Sequence, residues 1–393
     1  MSNAYIVLQN GQVFRGKSFG AGGCITGELV FTTGMTGYLE TLTDPSYYGQ
    51  IVMQTFPLIG NYGVISDDFE SSRSHVRGYI VHEWCKTPSN FRNQGDIDDF
   101  LKKQNVIGVY GVDTRALTKI IRESGVMNAR LMDEAEYAAF SAVAGASGAD
   151  ANATPGAAEY REKTLHEITN YVISDAVAAV SAPTKAGIEK TEITAKTTKP
   201  RVVLFDYGAK ANIARELEKR GCEVVCVNAF TSASEVFALN PAGIMLSNGP
   251  GNPAENTAII DELQKICKEC AARNIPIFGI CLGHQLLALA NGAVTEKLKY
   301  GHRGANQSVK EIKTGKTYIS SQNHGYAVDA KTLPKNAELS WKNANDGTCE
   351  GLTYRDFPGF SVQFHPEASG GPHDTMFLFD TFTASLSCAP ASW

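Results

Sequence analysis

Cys281 stands in the run Phe278-Gly279-Ile280-Cys281-Leu282-Gly283-His284-Gln285, with a glycine two positions away on each side. An apolar stretch, 275–280, leads into it, and a segment with helical character, 282–290, follows at once. This G-x-C-x-G pattern is a thiol version of the nucleophile elbow, a strand-to-helix turn that lifts one side chain out of a sheet. A free thiol has a pKa of about 8.5. A helix N-terminus stabilises a nearby anion by at most about 2 kcal/mol, which lowers that pKa by about 1.5. The thiol therefore needs a second, basic partner.

Eight histidines are available, and His365 is the best placed. It ends a strand-like run, Phe360-Ser361-Val362-Gln363-Phe364-His365-Pro366-Glu367, where side chains reach the edge of a sheet. Glu367, two residues on, can accept the other ring N–H and fix the tautomer. Cys281, His365 and Glu367 then read as nucleophile, base and orienting acid. Main-chain N–H groups of Leu282 and of the Gly249–Gly251 loop can hold a tetrahedral oxyanion. The reaction expected of such a set is acyl transfer through a thioester.

Blander readings exist for each piece. A lone cysteine after an apolar strand is commonly a core residue, and the His-Pro-Glu run and the Gly-Pro-Gly loop also occur as turns. Their joint presence, in the order Cys, His, acid, points to catalysis. Cys267 and Cys270 have the spacing of a redox or metal pair but sit inside a predicted helix with no second pair nearby, which fits structural thiols, and no metal site is expected. Cys222 and Cys226 suit the faces of a strand. His284 is expected to pack beneath the elbow. His324, in Ser321-Gln322-Asn323-His324-Gly325-Tyr326, is a rival base in what looks like a binding loop.

The elements that must position these residues divide the chain in three. Residues 1–133 show short strand-like runs at 4–8, 28–32, 50–55 and 78–82 and helices at 96–104 and 114–123, the second capped by Asp113 and closed by Gly125, which reads as a β-rich α/β domain. Residues 134–199 are an Ala/Thr/Lys-rich linker region, with room for a helix over 163–180. From 200 to 388 strands alternate with helices: strands at 202–205, 223–227, 243–246 and 275–280, helices at 212–220, 233–239, 257–273 and 282–290. Short β–α alternation implies a mostly parallel sheet covered by helices, with the site at the carboxyl ends of its strands.

Length and charge agree. The chain has 393 residues, 43% of them hydrophobic, and a formal net charge of -5. That is enough for two or three cores, and the slightly acidic balance argues against nucleic-acid binding. No apolar run reaches the ~18 residues of a membrane span, and no secretory signal is expected from the opening residues. Nine scattered cysteines fit reduced thiols in a cytoplasmic protein.

With these residues in view, the segments 278–285, 246–253, 322–328 and His365-Pro366-Glu367 resemble the class I (triad) glutamine amidotransferases. In the amino half, Phe31-Thr32-Thr33-Gly34-Met35-Thr36-Gly37-Tyr38, Leu42-Thr43-Asp44-Pro45-Ser46-Tyr47, Phe56-Pro57-Leu58-Ile59-Gly60-Asn61-Tyr62-Gly63, Ser89-Asn90-Phe91-Arg92-Asn93 and Asp113-Thr114-Arg115-Ala116-Leu117-Thr118 resemble the small chains of carbamoyl-phosphate synthases. The resemblance covers about residues 4–130 and 200–385. It implies a swivelling β/β/α fold for the amino domain and an amidotransferase fold for the other. It implies a glutaminase subunit in which L-glutamine forms a thioester with Cys281 and ammonia passes to a separate large subunit. That subunit would make carbamoyl phosphate, for arginine and pyrimidine biosynthesis, from bicarbonate with ATP and Mg; no cofactor is implied in this chain. The alternative is a catalytically idle assembly or regulatory subunit of the same complex. Carried over by motif position, the glutamine contacts are Ser46, Gly249, Gly251, Leu282, Gln285, Asn323, Gly325 and Tyr326. Ser46 would come from the amino domain, which puts the site at a domain interface. Family members often carry Phe where this chain has Tyr326. No arginine is evidently placed to clamp the substrate carboxylate.

Overall fold

The computed structural model describes residues 2–142, 156–182, 198–368 and 370–386. The chain forms two compact units, Met1–Thr43 with Tyr47–Ile173, and Asp44–Ser46 with Ser174–Trp393. The short segment bearing Ser46 thus groups with the second unit, although it lies within the sequence of the first.

The first unit is built on β1 (Asn3–Leu8), β2 (Val13–Gly20), β3 (Ile25–Thr32), β4 (Gln50–Gln54), β5 (Leu58–Ile59), β6 (Gly78–Ile80), β7 (Glu83–Trp84), β8 (Ile107–Tyr110) and β9 (Met127–Asp133). Seven of these close into a barrel in the order β1-β2-β8-β6-β4-β3-β9, while β5 and β7 pair apart from it. Closure leaves no barrel edge unpaired. Val30, Val52 and Tyr79 on its strands share a buried cluster with Leu101 and with Tyr38 and Leu42 of α1 (Tyr38–Thr43). The side chains of Asp96 and Asp113 cap α2 (Ile97–Lys103) and α3 (Thr114–Ser124), accepting from Asp99 N and Ala116 N. The expected strands at 4–8, 28–32, 50–55 and 78–82 correspond to β1, β3, β4 and β6; β2, β8 and β9 are additional.

The helix expected over 163–180 is two helices, α5 (Ala157–Thr169) and α6 (Ala176–Val180), preceded by α4 (Glu134–Ser141). The break has a tertiary cause. Tyr171 Oη donates to Gly49 O at 2.9 Å, and Asn128 Nδ2 donates to Tyr171 O at 2.9 Å. Ile173 then packs so closely over Gly49 that a Cβ there would lie 2.7 Å from its Cγ1. These contacts hold the chain extended where propensity alone would continue a helix. Phe140 of α4 and Ile168 of α5 bury a small cluster with Val7 and Met132. Residues 143–155 and 183–197 of the expected linker, and the expected end of the last domain at 387–388, lie outside the described residues.

The second unit runs β10 (Arg201–Asp206), α7 (Ala211–Lys219), β11 (Glu223–Asn228), α8 (Ala233–Ala238), β12 (Gly243–Leu246), α9 (Thr257–Arg273), β13 (Ile277–Ile280) and α10 (Leu282–Ala290). There follow β14 (Thr295–Glu311), β15 (Thr317–Val328), β16 (Ala337–Asn343), β17 (Cys349–Tyr354), β18 (Gly359–Val362) and α11 (Phe377–Ala384). One sheet holds all nine strands in the order β11-β10-β12-β13-β18-β17-β16-β14-β15. From β11 to β18 neighbours are parallel, and from β18 to β15 antiparallel. All residues of β12 and β13 are buried, as parallel strands covered on both faces require.

The turn from β13 to α10 depends on close packing. A Cβ on Gly283 would lie 2.7 Å from Leu246 Cβ, and one on Gly279 would lie 2.9 Å from the carbonyl carbon of Gly283. The two glycines therefore let α10 settle directly onto β12 and β13. Cys281 between them has φ 53° and ψ -105°, outside the left-handed well that non-glycine residues occasionally visit. Backbone in such a region costs of order 1–3 kcal/mol. Replacement by glycine relieves that cost and replacement by alanine does not. Cys281→Gly is expected to be more stable than Cys281→Ala by about 1 kcal/mol, the reverse of the usual order; equilibrium denaturation of the two variants measures it, and a more stable alanine variant would remove the claim of strain.

Candidate active site

Cys281 is buried and its main chain is fixed on both sides, its N–H donating to Val362 O at 2.9 Å and its carbonyl accepting from Gln285 N at 3.1 Å. The thiol points toward Asn323 O, 3.7 Å away. His365 follows the end of β18, the strand next to β13, and its N–H is held by Ser321 O at 2.9 Å. Its ring Nδ1 is 2.6 Å from Glu367 Oε1, and both side chains are fully buried. Since Nδ1 is committed to the carboxylate, Nε2 is the nitrogen left to act on the thiol. No hydrogen bond of full geometry reaches Nε2, yet the ring feels the sulfur electrostatically.

Burial and the Lys210 ammonium both push the His365 pKa down, but Glu367 and the Cys281 sulfur outweigh them and raise it from 6.5 to about 9. For Glu367, burial acts upward, and His365 followed by Lys210 brings it down to about 2. The pair thus holds a charged carboxylate against an imidazole that keeps its proton at neutral pH.

Two charged residues that sequence reasoning passed over complete this arrangement. Lys210 Nζ lies 3.4 Å from Glu367 Oε1 and 3.7 Å from Asp44 Oδ2. Asp44 is buried and accepts from Ser46 N at 2.9 Å and Asn323 Nδ2 at 3.1 Å, with Asn248 Nδ2 at 3.4 Å. Asn212 Nδ2 donates to the main-chain carbonyl of Glu367. In sequence Asp44 stands out only as part of a motif, and nothing near Lys210 signals its role, because its partners lie more than 150 residues away on either side.

Two of the expected glutamine contacts, Ser46 and Asn323, join this network through Asp44. Asn248 Nδ2 donates to Ser46 Oγ at 2.9 Å, which leaves the Ser46 hydroxyl proton for another acceptor. Gly249 allows close approach, since a Cβ there would lie 2.7 Å from Leu282 Cδ2, and Gly251 has φ +87° and lies against Ala176. Gln285 donates from Nε2 to Tyr326 O at 2.7 Å and to Gln363 Oε1 at 2.9 Å. Both of its amide protons are used, so only its carbonyl oxygen can serve a ligand. Asn323, Gly325 and Tyr326 line up on β15. Between the pairs Lys297↔Tyr326 and His302↔His324 the ladder is irregular, with four residues of β14 facing Gly325. Bulges of this kind recur beside active sites. The Tyr326 ring is faced by Lys297 Nζ, 5.9 Å from its centroid. Arg303, opposite Asn323, approaches this segment: a Cβ on Gly325 would lie 3.2 Å from its Nη2.

Other candidates separate from the thiol. His324, the rival base, has Nδ1 at 2.8 Å from Tyr326 O and Nε2 at 3.0 Å from Gln322 Oε1, and burial holds its pKa well below 6.5. His284 packs under the elbow with Nδ1 at 2.8 Å from Ser361 Oγ, and burial lowers its pKa to about 3. Cys267 and Cys270 lie buried on α9, where burial pushes the Cys267 thiol up to about 12. No helix among the described residues is long and apolar enough to cross a membrane.

Comparison with known proteins agrees with this geometry. The model of the carbamoyl-phosphate synthase small chain, CPSase domain, matches residues 6–131, and that of class-I glutamine amidotransferases matches residues 203–385. The carbamoyl phosphate synthase small chain of Lactococcus lactis subsp. cremoris is 44% identical over 382 residues, spanning 97% of this chain and 98% of that protein. The protein of that name from Streptococcus pneumoniae serotype 4 is 44% identical over 385 residues, 97% of each chain. The one from Bacillus thuringiensis subsp. konkukian is 47% identical over 383 residues, 97% of this chain and 95% of its own. A strained cysteine elbow backed by a buried His–Glu pair, in a chain so extensively matched, makes this protein a glutamine amidotransferase belonging to the carbamoyl phosphate synthase small chain family.

Proposed function

We propose that Cys281 hydrolyses the side-chain amide of L-glutamine and that the ammonia released passes to a separate large subunit for carbamoyl phosphate synthesis. The observation that carries this reading is the 2.6 Å His365–Glu367 pair beside a thiol on a strained elbow. In the first half-reaction Cys281 attacks the amide carbon as the thiolate, faced by the imidazolium of His365, which carries a proton on Nε2. The oxyanion is met by main-chain N–H groups of Leu282 and the Gly249–Gly251 loop. Collapse breaks the carbon–nitrogen bond, and the His365 imidazolium gives its Nε2 proton to the leaving ammonia. In the second half-reaction water attacks the glutamyl thioester, His365, left neutral by the first, takes its proton, and glutamate leaves with the thiolate and imidazolium restored.

The contacts assign the substrate's charged end. Gln285 offers a carbonyl oxygen, which suits the α-ammonium. Ser46 offers a hydroxyl proton, which suits the α-carboxylate. Asn323, Gly325 and Tyr326 supply the wall on the β15 side. This chain needs no cofactor for these steps; ATP and Mg belong with the large subunit, and a cytoplasmic setting suits the unpaired thiols. An assembly subunit with an idle elbow would not need the buried charges behind His365.

Cys281→Ala is expected to lower glutamine hydrolysis by about 10⁴-fold or more, while the variant, combined with the large subunit, still supports synthesis from free ammonia. Steady-state assays with each nitrogen source measure this. Hydrolysis at the parental rate would reject the mechanism, and an unreactive Cys281 toward a glutamine-like electrophile would favour the idle subunit.

The raised His365 pKa sets a pH dependence. The imidazolium is fully formed at neutral pH and is lost as pH rises through about 9, so kcat/KM should fall along that limb. In Glu367→Gln the carboxylate no longer favours the imidazolium, and the limb should move down by about 1–3 pH units. An unmoved limb in that variant would separate Glu367 from the base.

A further inference from the structure

The antiparallel half of the second unit's sheet gathers three buried side chains that glutamine hydrolysis does not use. His302 on β14 and His324 on β15 are directly opposed in register, with ring centroids 5.0 Å apart and planes at 89°. Glu350 on β17 is fully buried beside them. One ligand-capable atom from each lies within 4.8 Å of the others.

The orientation of the rings is informative. His302 Nε2 is 2.9 Å from Asp346 Oδ2, and His324 Nδ1 is 2.8 Å from Tyr326 O. A carboxylate on one imidazole and a backbone carbonyl on the other are the outer partners that metal-bound histidines recurrently have. They turn His302 Nδ1 and His324 Nε2 inward. His302 Nδ1 makes no hydrogen bond there and stands 3.5 Å from Glu350 Oε1. Glu350 is itself oriented, accepting from Asn343 Nδ2 on Oε1 and from Gln322 Nε2 on Oε2, each at 3.0 Å. Gln322 Oε1 lies 3.0 Å from His324 Nε2 and adds an oxygen at the same point.

We propose that His302, His324 and Glu350 form a divalent-metal site of the zinc class, with the Gln322 carbonyl oxygen or a water as fourth ligand. Two imidazoles and one carboxylate match that class and are poor in oxygen for Mg²⁺ or Ca²⁺. Ligands on a tetrahedral zinc stand about 3.3 Å apart, so the His302–Glu350 separation already fits, and modest closure brings in His324. Asp346, whose side chain is 48% exposed, marks the solvent side from which an ion enters. No spacing motif announces the set, and no metal was expected from the sequence; cross-strand register alone assembles it.

An ion here would fix His324 and with it the flanking Asn323, whose carbonyl faces the thiol, and Gly325. Metal occupancy should therefore alter the KM for glutamine, a consequence that rests on the proposed hydrolysis; the binding itself does not. Binding is tested on full-length Cys281→Ala protein, in which the elbow thiol cannot compete as a ligand. Metal-free protein titrated with Co²⁺ should bind one ion with the visible absorption of a four-coordinate site, show no thiolate charge-transfer band, and release it to Zn²⁺. Asp346→Asn, at the partly exposed rim, should keep the parental circular dichroism and weaken binding by about 10–100-fold, and Glu350→Gln should abolish it. A thiolate band, equal binding by Glu350→Gln and its parent, or no bound Co²⁺ or Zn²⁺ at one equivalent would overturn the site.

Discussion

The second unit is organised around a chain of buried charges: Asp44, Lys210, Glu367 and His365. They come from three places: Asp44 from the 44–46 segment, Lys210 from the residue before α7, and His365 and Glu367 from the loop after β18. Glu367 and His365 are fully buried and Asp44 nearly so. Losing one partner of a buried ion pair costs about 3–5 kcal/mol, because the other is left uncompensated. Asp44 and Glu367 supply two negative charges and Lys210 one positive charge. Balance in a dry interior requires a second cation, and the imidazole of His365 is the group that can provide it. Its raised pKa follows from charge neutrality, against the opposing effects of burial and of Lys210.

This constraint links folding to chemistry. The charges that hold the 44–46 segment to the sheet also make His365 hold a proton. With Asp44, Lys210, Glu367 and the imidazolium in balance, forming a thiolate adds one negative charge, which only the start of α10 and an incoming cation can offset. The α-ammonium of glutamine is such a cation. Substrate binding and thiol activation are then favourable together, and water that entered in place of substrate would meet a less nucleophilic sulfur.

The elbow, the triad and the parallel half of the sheet were legible because their signals are local. A buried strand, two glycines and a cysteine occur within six residues, and His365 and Glu367 are two residues apart. Asp44 and Lys210 were not legible, since a single charged residue reveals nothing of partners more than 150 positions away. The barrel strands β2, β8 and β9 also escaped notice. In β2 only Gly16 and Phe19 are buried, so its alternation is faint. The strands β14 to β17 were missed for a related reason: β14 buries few of its 17 residues and shows no apolar run. The helix expected over 163–180 failed because Gly49 gives Tyr171 and Ile173 a better position than a helix does.

His324 shows how one residue of register decides a role. From sequence it competes with His365 for the thiol, in what reads as a binding loop; in the structure it lies within β15. Side chains alternate along β15. Asn323 turns toward Asp44, while Gln322 and His324 turn toward Glu350. A slip of one residue would exchange these faces and present an imidazole to Cys281. The pairings Arg303↔Asn323 and His302↔His324 exclude that slip, and the four residues of β14 facing Gly325 absorb the irregularity the site needs without passing it along the strand. Register as much as chemistry therefore favours His365 as the proposed base, and His324 is left on the opposite face, where its side chain joins His302 and Glu350.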